Sequence, residues 1–222
     1  MDHPAVPQSP ADPHGNGRVF VAGPKPEQAD ATLLLIHGRG AAAENMLALY
    51  RELALPTIAA IAPQAADNVW YPQSFLAPIA ANQPYLDSAL RRIESLISQL
   101  VARGIKSDHI VLLGFSQGAC LATEFAARHT RPYGGIIGLT GGLIGPEGTP
   151  RDYRGSLAGT PVFLGTSDPD AHVPFARVEE TKVVLERLGA AVELRRYPGM
   201  GHTVNDDELD AVRALLQRFT PS

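Results

Sequence analysis

The stretch DHIVLLGFSQGACLATEFAAR, residues 108–128, constrains this chain more than any other. An apolar run from Ile110 to Leu113 meets Gly114-Phe115-Ser116-Gln117-Gly118, and small and apolar residues at Ala119, Leu121, Ala122, Phe125 and Ala126 follow at helical spacing. The pattern predicts strand, sharp turn and helix, with a serine at the apex. Such a turn strains the serine's backbone and leaves no room for bulk two residues before or after it, where the glycines stand. A helix that starts at the serine also aims backbone N–H groups and its positive dipole end at whatever the serine attacks.

The rest of the chain alternates apolar runs with helical patterns. Thr32 to Ile36 and Thr57 to Ala62 are continuous apolar segments of the kind buried on both faces of a parallel sheet. Gly134 to Leu139, Pro161 to Leu164 and Ala190 to Tyr197 extend the set, with Arg18 to Ala22 as a short segment at the front. Helical patterns cover Ala41 to Leu55, Asn82 to Arg103, Phe175 to Leu188 and Asp206 to Phe219. This alternation predicts an α/β fold, a mostly parallel sheet with helices on both faces, in one domain over residues 18–222 with no separate lid domain. Residues 1–17, with prolines at positions 4, 7, 10 and 13, read as a poorly ordered tail and lack the apolar core of a signal peptide.

Two long connections stand out, residues 63–81 and 141–160. Loops of this length are usually functional when ordered. The first carries Trp70, Tyr71, Phe75 and Leu76 and the second Leu143, and together these residues are expected to shape a substrate pocket. Trp70 and Phe75 could equally serve to anchor their loop to the body of the protein.

A serine at neutral pH is a poor nucleophile and needs a base, an acid to orient that base, and donors for a developing oxyanion. His202 is the expected base, placed after the last predicted strand in a loop, Gly199-Met200-Gly201-His202, whose two glycines let the backbone place the ring freely. The acid is expected in Gly165-Thr166-Ser167-Asp168-Pro169-Asp170, where either Asp168 or Asp170 can reach the imidazole. One oxyanion donor should be the N–H of Gln117, directly after the nucleophile, and the other that of Arg39 in His37-Gly38-Arg39-Gly40. The Arg39 side chain itself would be solvated or would meet an anionic part of a substrate.

A net charge of −4 without a basic block gives no reason to expect nucleic acid or an anionic membrane surface as partner. The single cysteine, Cys120, excludes an intramolecular disulfide, reads as a buried structural thiol and suits a reducing, cytoplasmic setting. No metal cluster or cofactor motif is evident, and a monomer or a homodimer is expected.

The motifs HGRG, the Trp70-Tyr71 loop, GFSQGA, TGGL, DPDAHVP and PGMGH, in this order over residues 18–219, resemble the phospholipase/carboxylesterase family, which includes the acyl-protein thioesterases. The resemblance implies an α/β-hydrolase fold, a Ser-Asp-His triad and cofactor-free hydrolysis of carboxylic esters or thioesters. It implies Ser116 as nucleophile, His202 as base, and Arg39 and Gln117 as oxyanion donors. It also favours Asp170 as the acid, by its spacing from Pro161 and from Val173-Pro174. Trp70-Tyr71-Pro72 and Thr140 depart from the Trp-Phe-Asp and serine common in the thioesterases, so the substrate does not carry over with the fold. The expected activity is a serine carboxylesterase acting on small-molecule esters of small to medium acyl chains, with no membrane insertion. A thioesterase or lysophospholipase is the alternative within hydrolases, and a non-catalytic hydrolase-fold binding protein the alternative outside them.

Overall fold

The central apolar run forms β4 (Ile110–Phe115), the middle strand of a seven-stranded sheet. The computed structural model of the chain describes residues 12–220. In chain order the other strands are β1 (Val19–Ala22), β2 (Ala31–Ile36), β3 (Ile58–Pro63), β5 (Gly135–Leu139), β6 (Pro161–Asp168) and β7 (Ala191–Pro198). Their spatial order is β1-β3-β2-β4-β5-β6-β7. Only β1 is antiparallel to its neighbour, pairing Val19 with Pro63 and Ala22 with Ala60. The other five pairings are parallel.

Among the described residues five α-helices cover the sheet: α1 (Ala43–Leu53), α2 (Tyr85–Ala102), α3 (Gln117–Arg128), α4 (Phe175–Arg187) and α5 (Asp206–Gln217). The two-residue period of a strand divides the interior between two cores. On β2, Leu34 and Ile36 join α2, α3 and α4, whereas Leu33 and Leu35 join α1 and α5. On β4, Leu112 faces the first core, and Val111 and Leu113 the second. Burial of each such leucine, isoleucine or valine contributes roughly 1.5–3 kcal/mol. With both faces covered, the strands read as unbroken apolar runs, and the α/β expectation holds.

Several boundaries differ from expectation, β6 for one running to Asp168 rather than Leu164, and two of the differences have identifiable reasons. The helix expected from Asn82 begins at Tyr85, because Pro84 holds Gln83 in extended backbone (φ −88°, ψ 151°). Residues Ile79–Asn82 instead form a separate 3₁₀ turn. The poorly ordered tail expected over residues 1–17 is corrected for residues 12–17, which pack against α2 and the 63–81 loop. There His14 is fully buried, its Nε2 lies 3.0 Å from the Trp70 carbonyl, and its Nδ1 accepts from the Ala66 N–H. Arg92 of α2 donates to the carbonyls of Gly15 and Gly17. Residues 1–11 of that expectation lie outside the described residues.

Candidate active site

Ser116 occupies the turn between β4 and α3 at φ 54° and ψ −120°, a conformation that costs a non-glycine residue on the order of 1–3 kcal/mol. Its N–H is tied to the Leu139 carbonyl at 2.9 Å, and its carbonyl accepts from Cys120 in the first turn of α3. The flanking glycines are steric requirements. A Cβ on Gly114 would stand 2.2 Å from the Gly118 carbonyl oxygen, and one on Gly118 would stand 2.0 Å from that of Ile36. The turn can close only without those two side chains.

His202 follows β7 and reaches back to the serine, its Nε2 lying 2.8 Å from Ser116 Oγ. Its Nδ1–H donates to Asp170 Oδ2 at 2.7 Å. The Asp170 carboxylate is wholly buried, and Oδ2 also accepts from the Ser167 hydroxyl at 2.7 Å. Its Oδ1 accepts the backbone N–H groups of His172 and Val173 at 2.7 and 2.8 Å. Burial alone would raise this carboxyl's pKa, but His202, Ser167 and the two amides together outweigh it and hold the group at about 2. Asp168, the other aspartate of the segment, pairs instead with Arg196. Geometry therefore joins Asp170, and not Asp168, to the imidazole.

Gln117 is the first residue of α3, so its N–H has no carbonyl to meet within the helix. Arg39 lies between Gly38, whose carbonyl accepts from Ala41, and Gly40, whose N–H donates to Asn68. The side chains of both residues fasten the Trp70–Gln73 segment. Gln117 accepts from the Trp70 N–H and donates to the Tyr71 carbonyl, at 2.9 and 2.8 Å. The Arg39 guanidinium donates to the carbonyls of Tyr71, Pro72 and Gln73 at 2.9, 2.8 and 2.5 Å. Three hydrogen bonds thus tie it to its own chain, while the residue stays exposed and lines the cleft. His37 supports the same region: its Nδ1–H donates to the Gly38 carbonyl and its Nε2 accepts from Ala65 N–H. Burial shifts its pKa down and favours this neutral form.

A cleft of about 590 Å³ opens over Ser116 and His202. Of the five residues expected to shape a substrate pocket, Tyr71, Phe75 and Leu76 line this cleft and Trp70 and Leu143 do not. Trp70 is fully buried beneath the loop, its Nε1–H donating to the His37 carbonyl at 2.9 Å. It is an anchor. Leu143 is buried in the core beside α4, where Arg177 donates to its carbonyl. The 141–160 loop lies behind the wall, with Gly145 N–H bonded to the Phe75 carbonyl.

Ala171, His172 and Val173, residues the sequence reading missed, also line the cleft. The His172 ring meets His202 edge-on at 4.9 Å. Their position just beyond the acid was the available signal, since a loop that brings Asp170 to His202 brings its next three residues to the same rim. Cys120 is buried as expected but also lines the cleft, one helical turn after Ser116. Burial pushes its thiol up to about 12, so it is inert as a nucleophile at neutral pH. Among the described residues no cluster of three or more His, Cys, Asp or Glu side chains is arranged to hold a metal ion. No helix among them is long and apolar enough to cross a membrane.

A seven-stranded, mostly parallel sheet with Ser116 on the β4–α3 turn, hydrogen-bonded through His202 to Asp170 on the loops after β7 and β6, defines an α/β-hydrolase fold. Residues 16–220 match the model of the phospholipase/carboxylesterase family, and the chain belongs to that family. It is similar to a phospholipase/carboxylesterase from Dyadobacter fermentans of known structure, with 41% identity, a TM-score of 0.88, and coverage of 96% of this chain and 99% of that one. Esterase PE8 is 25% identical with a TM-score of 0.74, over 91% of this chain and 98% of that chain. Among curated relatives, acyl-protein thioesterase 1 of Gibberella zeae is 35% identical over 57% of this chain and 55% of its own length. That of Saccharomyces cerevisiae is 30% identical over 61% and 60%. The chain thus spans between half and two thirds of the length of these two relatives.

Proposed function

We propose that this protein is a serine carboxylesterase that cleaves esters of small to medium acyl chains through an acyl-enzyme intermediate. The observation that carries this reading is the hydrogen-bonded relay Ser116–His202–Asp170, with links of 2.8 and 2.7 Å, at the edge of the cleft. As the Ser116 oxygen attacks the ester carbonyl, its proton passes to His202 Nε2, and Asp170 stabilises the imidazolium that forms. The N–H groups of Gln117 and Arg39 receive the developing oxyanion, each donor contributing about 2.7–4 kcal/mol to the transition state. His202 then returns the proton to the departing alcohol, and water repeats the sequence to release the acid. The substrate is a small-molecule ester, and the single buried thiol suits a cytoplasmic protein.

Thioester hydrolysis is the second reading, favoured by the thioesterase relatives at 35% and 30% identity. The same relay would serve it.

The test is a panel of p-nitrophenyl esters from acetate to palmitate, run beside matched acyl thioesters, with wild type and Ser116→Ala. Wild type should turn over short and medium esters, and Ser116→Ala should lose on the order of 10⁶ in kcat. A fluorophosphonate should label wild type only. Faster turnover of thioesters than of esters would select the second reading. No turnover and no labelling would leave a non-catalytic binding protein.

A further inference from the structure

Arg39 is the one lysine or arginine among the residues that line the cleft, and none of those residues is an aspartate or glutamate. This holds in a chain whose net charge is −4. Arg128, Arg131, Arg177 and Arg196 each meet a carboxylate. Arg39 meets none among the described residues. The carbonyls of Tyr71, Pro72 and Gln73 accept its hydrogen bonds but leave its charge unneutralised. A guanidinium has five N–H donors, and these three bonds use one on Nη1 and both on Nη2. The Nε–H and the second Nη1–H are left for solvent or a ligand.

The acids near the cleft are already spent. Asp170 lies on the Nδ1 side of the His202 ring, away from Ser116, wholly buried and holding four hydrogen bonds. Glu124, buried beside Tyr71 and Cys120, is paired with Arg128. Helix α3, which starts at the lining residue Gln117, adds its positive dipole end. In the reaction above the Arg39 N–H holds the oxyanion, so its guanidinium stands no more than one arginine side chain from the scissile carbonyl. A cleft lined by one sign of charge concentrates ligands of the other sign. On the esterase reading above, we propose that the substrates are acidic esters, with a carboxylate a few bonds from the scissile carbonyl, and that the Arg39 charge selects them. The attraction acts over several ångströms, so it serves a carboxylate on either the acyl or the alcohol part.

Two pairs of esters matched in shape and differing in charge test this. Mono-p-nitrophenyl adipate against its terminal carboxamide puts the charge on the acyl part. The butanoates of 4-hydroxybenzoate and 4-hydroxybenzamide put it on the alcohol part. The acid-to-amide ratio of kcat/KM is compared among wild type, Arg39→Ala and Arg39→Lys, so that each ester's intrinsic reactivity cancels. Loosening of the loop lowers both members of a pair and leaves the ratio alone. For at least one pair the wild-type ratio should exceed one and should fall about three- to tenfold in Arg39→Ala, mainly through KM. Arg39→Lys, which keeps the charge, should hold that ratio within about twofold of wild type. Salt raised from about 0.02 to about 0.5 M should bring the wild-type ratio toward that of Arg39→Ala. The proposal is overturned, with turnover and the esterase reading intact, by a wild-type ratio below one in both pairs, by an unchanged ratio in Arg39→Ala, or by an Arg39→Lys ratio as low as that of Arg39→Ala. Absence of turnover on all four esters together with no fluorophosphonate labelling would overturn the esterase reading and this inference with it.

Discussion

Asp170 accepts four hydrogen bonds, two on each carboxylate oxygen, inside a fully buried pocket, whereas Asp168 pairs with Arg196 with 21% of its side chain exposed. An acid that orients an imidazole must be fixed itself, and only Asp170 is. Asp170→Asn should therefore lower kcat by about 10³–10⁴ while the protein still folds, because the amide cannot hold the imidazole in the productive tautomer. Asp168→Asn should stay within about twofold of wild type, and steady-state kinetics on one short ester measures both. Equal damage in the two variants would mean that the segment, and not one carboxylate, supports the base. Held at about 2, Asp170 remains ionised throughout the range of ordinary assays, so a fall in rate between pH 7 and pH 5 would not report its protonation. The residues left this choice open because both aspartates follow the same strand. What separates them is the pair of N–H groups from His172 and Val173, which exists only once the loop is folded. The roles proposed for Ser116 and His202 could be read from the residues alone, because glycine spacing and position after a strand are properties of the chain itself.

At the level of elements, the strands were legible because burial on both faces erases alternation and leaves apolar runs. The division of labour between the two long loops was not, since both carry apolar residues. Only tertiary packing puts Phe75 at the cleft and Leu143 behind it. The Trp70–Gln73 segment is held mainly by hydrogen bonds, with Arg39 taking three successive carbonyls, Gln117 bonding Trp70 and Tyr71, and Asn82 Oδ1 accepting from the Gln73 N–H. Arg39→Ala should free the cleft wall and lower kcat/KM by about tenfold, mainly through KM, since the Arg39 backbone N–H survives the substitution. Arg39→Lys should not restore it, because one ammonium cannot span three carbonyls as a guanidinium fork does. Kinetics of both variants on an ester that wild type turns over reads this. An Arg39→Ala enzyme as inactive as Ser116→Ala would instead place the guanidinium on the reacting atoms.

Across the whole molecule, buried ionisable groups set opposing limits on stability. Burial lowers the pKa of His14 and His37, so the stability they contribute is present above their ordinary value of 6.5 and is lost as pH falls through their folded values. Glu208 acts the other way. Its carboxyl caps the start of α5, accepting from the Asn205 N–H at 3.0 Å, and is fully buried against Gly165, where a Cβ would stand 2.1 Å from Oε1. Burial raises its pKa to about 7, with Asp207 adding to the rise and the Asn205 N–H opposing it. Between pH 4.5, the ordinary value, and about 7 the folded chain holds a proton that the unfolded chain has released, so stability falls as pH rises through that window. The loss is at most roughly 3 kcal/mol, complete above the folded value. Glu208→Gln keeps a capping acceptor and removes the ionisation. At about 2–4 °C per kcal/mol for a domain of this size, wild type should lose several degrees of Tm between pH 5 and pH 8 that the variant does not. The variant should then melt higher than wild type at pH 8, while the acid-side fall set by the two histidines persists in both. Thermal melts at half-unit pH intervals decide the matter. If the difference in Tm between pH 5 and pH 8 is the same for both proteins, Glu208 is ionised in the folded state at both pH values and the buried, protonated carboxyl is wrong.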